Sequence, residues 1–380
     1  MNDIHMQQIF AHYIDKFEYI NGTKHQEYYK WQIANRFHDE MDAALAAPAE
    51  KFPAKLYEVK KLTSNLIDSY TQPFHGLVKF AEHEPETVKN MFKQLFTDID
   101  NRDTLQDRVQ TFLSQSFALR DKYYPDSYLY KDDMHSVTGY LFLYAPDYNY
   151  IYKPTHARDF ADCIEFYDEW GTGIDTKLTI YYRMCDELVE AIKASKELLA
   201  TDASRFENGW GEDTSTFHPD KEKHILAFDL IYCCSTYGLF SGISFVKPKT
   251  KERQLMQERK DKAQKLALAF EAATADKHNL DEALQYIASA YKIGSVLQHK
   301  KYGAGTIKDN QGGTIVVKFP EVGEKQLDLM TVAANGIVSV DIDGYENAMA
   351  RHSESLKQRN QIETRLSIAE KDFAQYAPYL

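Results

Sequence analysis

The stretch GSVLQHKKYGAGTIKDNQGGTIVVKF, residues 294 to 319, decides how the chain divides. Its apolar and β-branched residues alternate over short runs separated by glycines, whereas most of the chain on either side is patterned for helices. Carrying the alternation forward gives five strands, Ser295 to His299, Gly305 to Lys308, Thr314 to Phe319, Lys325 to Leu329 and Ile337 to Val340. The turn Gln311-Gly312-Gly313 offers the backbone freedom a tight hairpin needs, and Gly303 and Gly305 mark a bend or a close backbone approach. Five such strands suggest a small SH3-like barrel over residues 292 to 342.

Upstream, Ile9, Tyr13, Phe17 and Ile20 recur at three- and four-residue steps, as do Trp31, Ala34, Phe37 and Met41 after Asn21-Gly22. Pro53, Pro73 and Pro85 punctuate further helices, with Val88, Met91, Phe92 and Phe96 as one inward stripe. SVTGYLFLYAPDYNYIYKP, residues 136 to 154, is rich in β-branched and aromatic residues around Ala-Pro-Asp and reads as a β-hairpin turning at Pro146 and Asp147. The apolar run from His224 to Cys234 fits a buried strand or a buried helix. A charged helix from Lys251 to Ala273, a turn at Asp276 to Asn279 and a short helix ending near Tyr291 make a connector.

The expected fold is therefore mainly α (α+β). A helical domain over residues 1–246 carries a hairpin near 136–152, followed by a helical connector (247–291), the barrel (292–342) and a C-terminal helix (343–380). That last helix has Leu356, Ile362, Leu366, Ile368 and Phe373 spaced either to pack on its own domain or to form a homo-oligomeric coiled coil.

With 43% hydrophobic and 27% charged residues, the chain can build packed cores. No apolar run reaches the roughly 20 residues of a membrane helix, and the N-terminus lacks a signal-peptide pattern, so no membrane association and a cytoplasmic location are expected. Cys163, Cys185, Cys233 and Cys234 show no metal-binding spacing and read as buried thiols. The net charge of −12 opposes non-specific attraction to nucleic acid while leaving room for a local basic groove.

The run IGSVLQHKKYGAGTIKDNQGGTIVVKFPEVGEKQLDLM resembles the Tudor or SH3-like module at the C-terminus of UvrD and PcrA helicases, which shares its barrel with CarD-type polymerase-binding factors. That resemblance implies a barrel that docks protein, DNA or a neighbouring domain. For His299, Lys300, Lys301 and Tyr302, with Lys318 and Lys325, the alternatives are a docking surface and a solvated loop. Lys292, Lys300, Lys301, Lys308, Lys318 and Lys325 oppose Asp309, Glu321, Glu324, Asp328 and Asp341, a balance of +1 that does not single out nucleic acid as the ligand.

EYYKWQIANRF, HEPETVKNMFKQLF, RVQTFL, SVTGYLFLYAPDYNYIYKPTHARDF and HILAFDLIY resemble the region before the AAA+ motor in McrB-like restriction and phage-defence proteins. The resemblance implies target recognition by residues 10 to 235. The chain departs from it in having no phosphate-loop motif, since GTGIDTKLT carries Thr176 where the second Gly belongs.

Tyr148, Tyr150 and Tyr152 alternate and are followed by Lys153, His156 and Arg158, an order suited to stacking a base and holding a phosphate, or to packing on the helices with the cations in solvent. Glu58-Val59-Lys60 matches half of a metal-dependent nuclease site, but Leu56, Val59, Leu62 and Leu66 place it on a helix rather than the required strand. His218, Asp220, His224 and Asp229 fit no single helix face as metal ligands. These patterns lead to no catalytic, metal or cofactor assignment. The expected function is a non-catalytic recognition or adaptor component of a bacterial phage-defence or DNA-transaction system, with nucleic acid, an AAA+ motor, a nuclease or RNA polymerase as partners. The alternatives are a metal-dependent nuclease or hydrolase and an RNA-polymerase-associated regulator.

Overall fold

A computed structural model of the chain describes residues 1–63, 66–67, 70–311 and 313–380 and divides it into two units, Met1–Gln254 and Leu255–Leu380. The first unit is helical: α1 (Asp3–Asp15), α2 (Phe17–Asn21), α3 (Tyr29–Ala46), α4 (Phe52–Leu62), α5 (Pro73–His83), α6 (Pro85–Phe96), α7 (Leu105–Tyr123), α8 (Met134–Tyr144), α9 (Pro154–Cys163), α10 (Leu178–Ala194), α11 (Lys196–Asn208) and α12 (His224–Thr236). The prolines expected to punctuate this region occupy the first turns of α4, α5 and α6, where the missing N–H leaves no helical bond unmade. The stripes from Ile9 to Ile20, Trp31 to Met41 and Val88 to Phe96 are buried in one core. None of the helices is long and apolar enough to cross a membrane, among the described residues.

The hairpin expected near 136–152 does not form. Residues 134–144 are α8, opened by a capping box in which Asp133 accepts from the Ser136 N–H and Ser136 Oγ accepts from the Asp133 N–H. The strand-like texture arises because α8 lies among α3, α6 and α7 and buries every side of its circumference, Val137, Tyr140, Leu141, Phe142 and Leu143 included. A helix apolar all round has no periodicity to read. The same holds for α12, packed against α1, α9 and α10, which resolves the ambiguity of residues 224–234 as helix.

Helix α13 (Thr250–Ala290) runs without the turn expected at Asp276 to Asn279. No Gly or Pro interrupts that segment, and the Lys277–Asp281 ion pair joins successive turns across it. In the second unit, β1 (Val296–His299), β2 (Gly303–Gln311), β3 (Thr314–Phe319), β4 (Gly323–Asp328) and β5 (Val338–Val340) form an antiparallel sheet in SH3-like order β4-β3-β2-β1-β5, with α14 (Leu329–Ala334) before the last strand. Leu297, Ile307, Ile315, Val317 and Phe319 fill its inner face together with Leu280, Ala283 and Ile287 of α13. Of the expected turn Gln311-Gly312-Gly313, Gly312 lies outside the described residues.

The expected C-terminal helix is broken at Gln358 into α15 (Tyr345–Lys357) and α16 (Arg359–Tyr376). Helix α16 packs back along α13: the Phe270 and Phe373 rings stack at 5.4 Å, Lys262 donates to the Tyr376 hydroxyl at 2.7 Å, and Arg365 pairs with Asp276.

Candidate binding site around residues 147 to 158

Between α8 and α9 the chain makes a turn over residues 146–148 and then runs to Lys153 outside any helix or strand, so side chains satisfy its backbone. The Tyr181 hydroxyl donates to the Ile151 carbonyl at 2.8 Å, and the Tyr152 N–H donates to Thr138 Oγ1 at 3.0 Å. The three tyrosines are divided by this anchoring: Tyr148 is 49% exposed, whereas Tyr150 and Tyr152 are buried. A three-ring stacking platform is therefore not presented. Tyr150 and Tyr152 turn inward onto α10 and α12, Tyr150 meeting Tyr182 edge-on at 5.1 Å and stacking on His224 at 4.1 Å, and Tyr152 meeting Tyr181 at 4.9 Å. Tyr148 lies outside that alternation because its N–H closes a turn onto the Ala145 carbonyl at 3.2 Å.

Tyr148 lines an open pocket of about 370 Å³ with Asp100, Arg102, Asp147, Glu222 and His224. Beneath it, the Tyr150 hydroxyl lies 2.8 Å from Asp186 Oδ1 and 3.0 Å from His224 Nε2, while His224 Nδ1 faces the Asn149 carbonyl at 3.2 Å. The Arg102 guanidinium pairs with Asp186 and lies 5.7 and 5.5 Å from the ring centroids of Tyr150 and Tyr182. Burial pushes the His224 pKa down, favouring the neutral imidazole. With its N–H on Nδ1 facing Asn149, His224 Nε2 competes with Asp186 for the single Tyr150 proton. Burial and the neighbouring thiol and carboxylate of Cys185 and Asp186 hold Tyr150 well above the usual phenol range, so it is a positioned donor and not a base.

The three residues expected as cations are divided as well. Lys153 lies 4.6 Å and Lys30 4.3 Å from the Tyr232 ring centroid, and His156 stacks on the same ring at 5.0 Å. Burial, with Lys30 adding repulsion, lowers the Lys153 pKa; burial and then Lys153 push His156 down to about 4. Arg158 is held elsewhere, 4.0 Å from the Trp170 ring centroid and paired with Glu169 at 2.9 Å. Lys153 and His156 share a ring; Arg158 does not join them.

The residues weighed as metal ligands have separate duties. Asp220 accepts the N–H groups of Ile225 and Leu226 at 3.0 and 2.9 Å and is pushed up to about 7 by burial and by Asp202. His218 Nδ1 accepts from the Asp220 N–H, while Asp229 pairs with Lys30 and accepts from the Tyr13 hydroxyl. Among the described residues no group of three or more His, Cys, Asp or Glu side chains is placed to hold a metal. Glu58 lies on α4 and pairs with Lys61, and Val59 is buried, so the nuclease half-motif is not on a strand.

In the barrel, His299 is buried and clamps its own loop: Nδ1 accepts from the N–H groups of Lys301 and Tyr302 at 2.9 and 3.3 Å, and the ring packs on Tyr302 and Phe319. Lys300 and Lys301 are exposed beside it. Lys318 pairs in register with Glu324 and Lys325 with Val317, so the two lysines lie on opposite faces of the sheet. The six residues expected to dock a partner are thus spread over a loop and two faces.

Arg102, which lines the pocket, and Asp186, which pairs with it, went unmarked in the sequence; they lie 84 residues apart and no local pattern joins them. Compared with family models, curated proteins and solved structures, the chain matches none of them.

Proposed function

We propose that the chain is a non-catalytic recognition or adaptor component of a bacterial phage-defence or DNA-transaction system, acting in the cytoplasm. In this reading the helical unit binds nucleic acid or a protein, and the barrel docks a protein such as an AAA+ motor, a nuclease or RNA polymerase. The observation that carries it is the pocket at Tyr148, where an exposed ring shares the lining with carboxylates and a guanidinium. An aromatic face beside hydrogen-bonding groups suits a planar group with N–H donors, such as an unstacked base edge. The net charge of −12 disfavours tracking of a phosphate backbone, so recognition through one pocket fits better than a long basic groove. The resemblances to the McrB-like pre-motor region and to the UvrD/PcrA module support the same assignment.

Fluorescence anisotropy of the full chain with labelled single- and double-stranded oligonucleotides tests the first half, alongside pull-down from bacterial lysate with and without nuclease. Saturable oligonucleotide binding weakened by Tyr148→Ala, or nuclease-insensitive capture of a motor, nuclease or polymerase subunit, is the expected result. Mg²⁺-dependent cleavage abolished by Glu58→Ala would replace this reading with the nuclease alternative.

A further inference from the structure

After β5 the chain turns through Asp341-Ile342-Asp343-Gly344 into α15, with Gly344 at φ +77°. This turn borders an open groove of about 1020 Å³. Val340 and Met349 form part of its floor, Asp341, Asp343 and Glu346 line it with carboxylates, and Ile342 stands 45% exposed among them. Among the described residues, Lys300 is the one basic side chain in the lining, so three carboxylates face one ammonium.

The groove does not invite an added strand. The Val338 carbonyl already accepts from the Tyr291 and Tyr345 hydroxyls at 3.3 and 3.2 Å, and the Val340 carbonyl accepts from the Ile342 N–H at 3.1 Å. An occupant would be held through its side chains, not by a full backbone ladder. An apolar projection between carboxylates calls for an apolar contact flanked by cations. A second copy of the chain is a poor match, since each copy carries a net charge of −12.

We infer that this groove binds a basic segment of a partner protein, one with an aliphatic side chain set between Lys or Arg residues. The inference rests on the reading of the barrel as a protein-docking module and names the partner's chemistry. The contact lies at the acidic turn after β5, not across Lys301, Lys318 and Lys325.

The test is fluorescence anisotropy of the full chain with two fluorescein-labelled peptides, Arg-Leu-Arg-Lys-Leu-Arg and Glu-Leu-Glu-Glu-Leu-Glu. Saturable binding of the basic peptide alone is expected. It should weaken at least tenfold in an Asp341→Lys/Asp343→Lys variant and severalfold in Ile342→Ser, and stay unchanged in Lys318→Glu. All four substituted side chains are exposed, and unchanged circular dichroism would confirm that the fold is kept. Binding indifferent to Ile342→Ser would reduce the groove to general attraction by an acidic surface and overturn the inference. So would binding that survives the Asp341→Lys/Asp343→Lys change, or dimerisation in sedimentation that this change abolishes. If the peptide fails while nuclease-insensitive partner capture persists in both the wild type and the double variant, the adaptor reading stands and the groove assignment falls; loss of both removes both.

Discussion

Lys30 and Asp229 form an ion pair with both side chains fully buried, joining α3 to α12 through the centre of the helical unit. Glu27 approaches the same ammonium at 2.9 Å, and the Tyr13 hydroxyl donates to Asp229 at 2.5 Å. Tyr13 in turn accepts from Arg205, whose guanidinium lies 3.5 Å from the Trp31 ring centroid and pairs with Asp202. A buried pair costs desolvation to form, but losing one partner strands the other. Asp229→Ala should therefore cost about 3–5 kcal/mol, and Lys30→Met with Asp229→Leu together much less than the sum of the single changes. Urea denaturation followed by circular dichroism reads both; a single-variant cost below about 1 kcal/mol would contradict the network's role.

Asp132 is buried and accepts from the hydroxyls of Ser116, Ser136 and Tyr140 at 2.5, 2.8 and 2.9 Å. Burial outweighs these donors and raises its pKa to about 6. The folded chain therefore holds this proton more tightly than the unfolded chain does. The stability it contributes is full below the unfolded value of about 3.9 and is lost as pH rises through about 6. Asp132→Asn should flatten that part of the pH profile, so the melting-temperature difference between variant and wild type changes in the variant's favour between pH 4 and 7. A difference constant with pH would refute the assignment.

These interior charges mark where the sequence could and could not be read. Helices with one wet side, such as those carrying Trp31 to Met41 or Val88 to Phe96, show their stripe. The strands of the barrel do too, because Leu297, Ile315 and Val317 alternate with exposed or half-buried neighbours. Helix α8 could not be recognised by period, since it has no wet side, and only Asp133 with Ser136 signalled its start. Position along the segment between α8 and α9 did not tell which tyrosine faces solvent either. Tyr148 and Tyr150 have the same local pattern and opposite fates because α10 and α12 cover only the second.

That difference predicts opposite phenotypes. Tyr148→Ala should leave stability within about 0.5 kcal/mol while weakening any ligand of the pocket. Tyr150→Phe removes the hydroxyl shared by Asp186 and His224 and should cost about 1 kcal/mol. It should also move the His224 imidazole resonances in an NMR pH titration. Equal stability losses for the two variants, or an unmoved His224 titration, would show that the shared hydroxyl has no such part.

In the barrel, Gly305 pairs with Leu297 across β1 and β2, and a Cβ built there would lie 2.6 Å from the Phe319 ring and from Val317 Cγ1. Both neighbours are buried in the sheet core, so neither can yield without repacking. Gly303 differs: its surroundings are open, but its φ of +70° strains any residue with a side chain. Gly305→Val should cost about 1–3 kcal/mol through overpacking, more than Gly305→Ala, whereas at Gly303 Ala and the larger but unbranched Leu should cost similar amounts through backbone strain. Thermal unfolding of the four variants separates the mechanisms. A size dependence at Gly303, or none at Gly305, would reverse the assignment of which glycine serves close approach and which serves the bend.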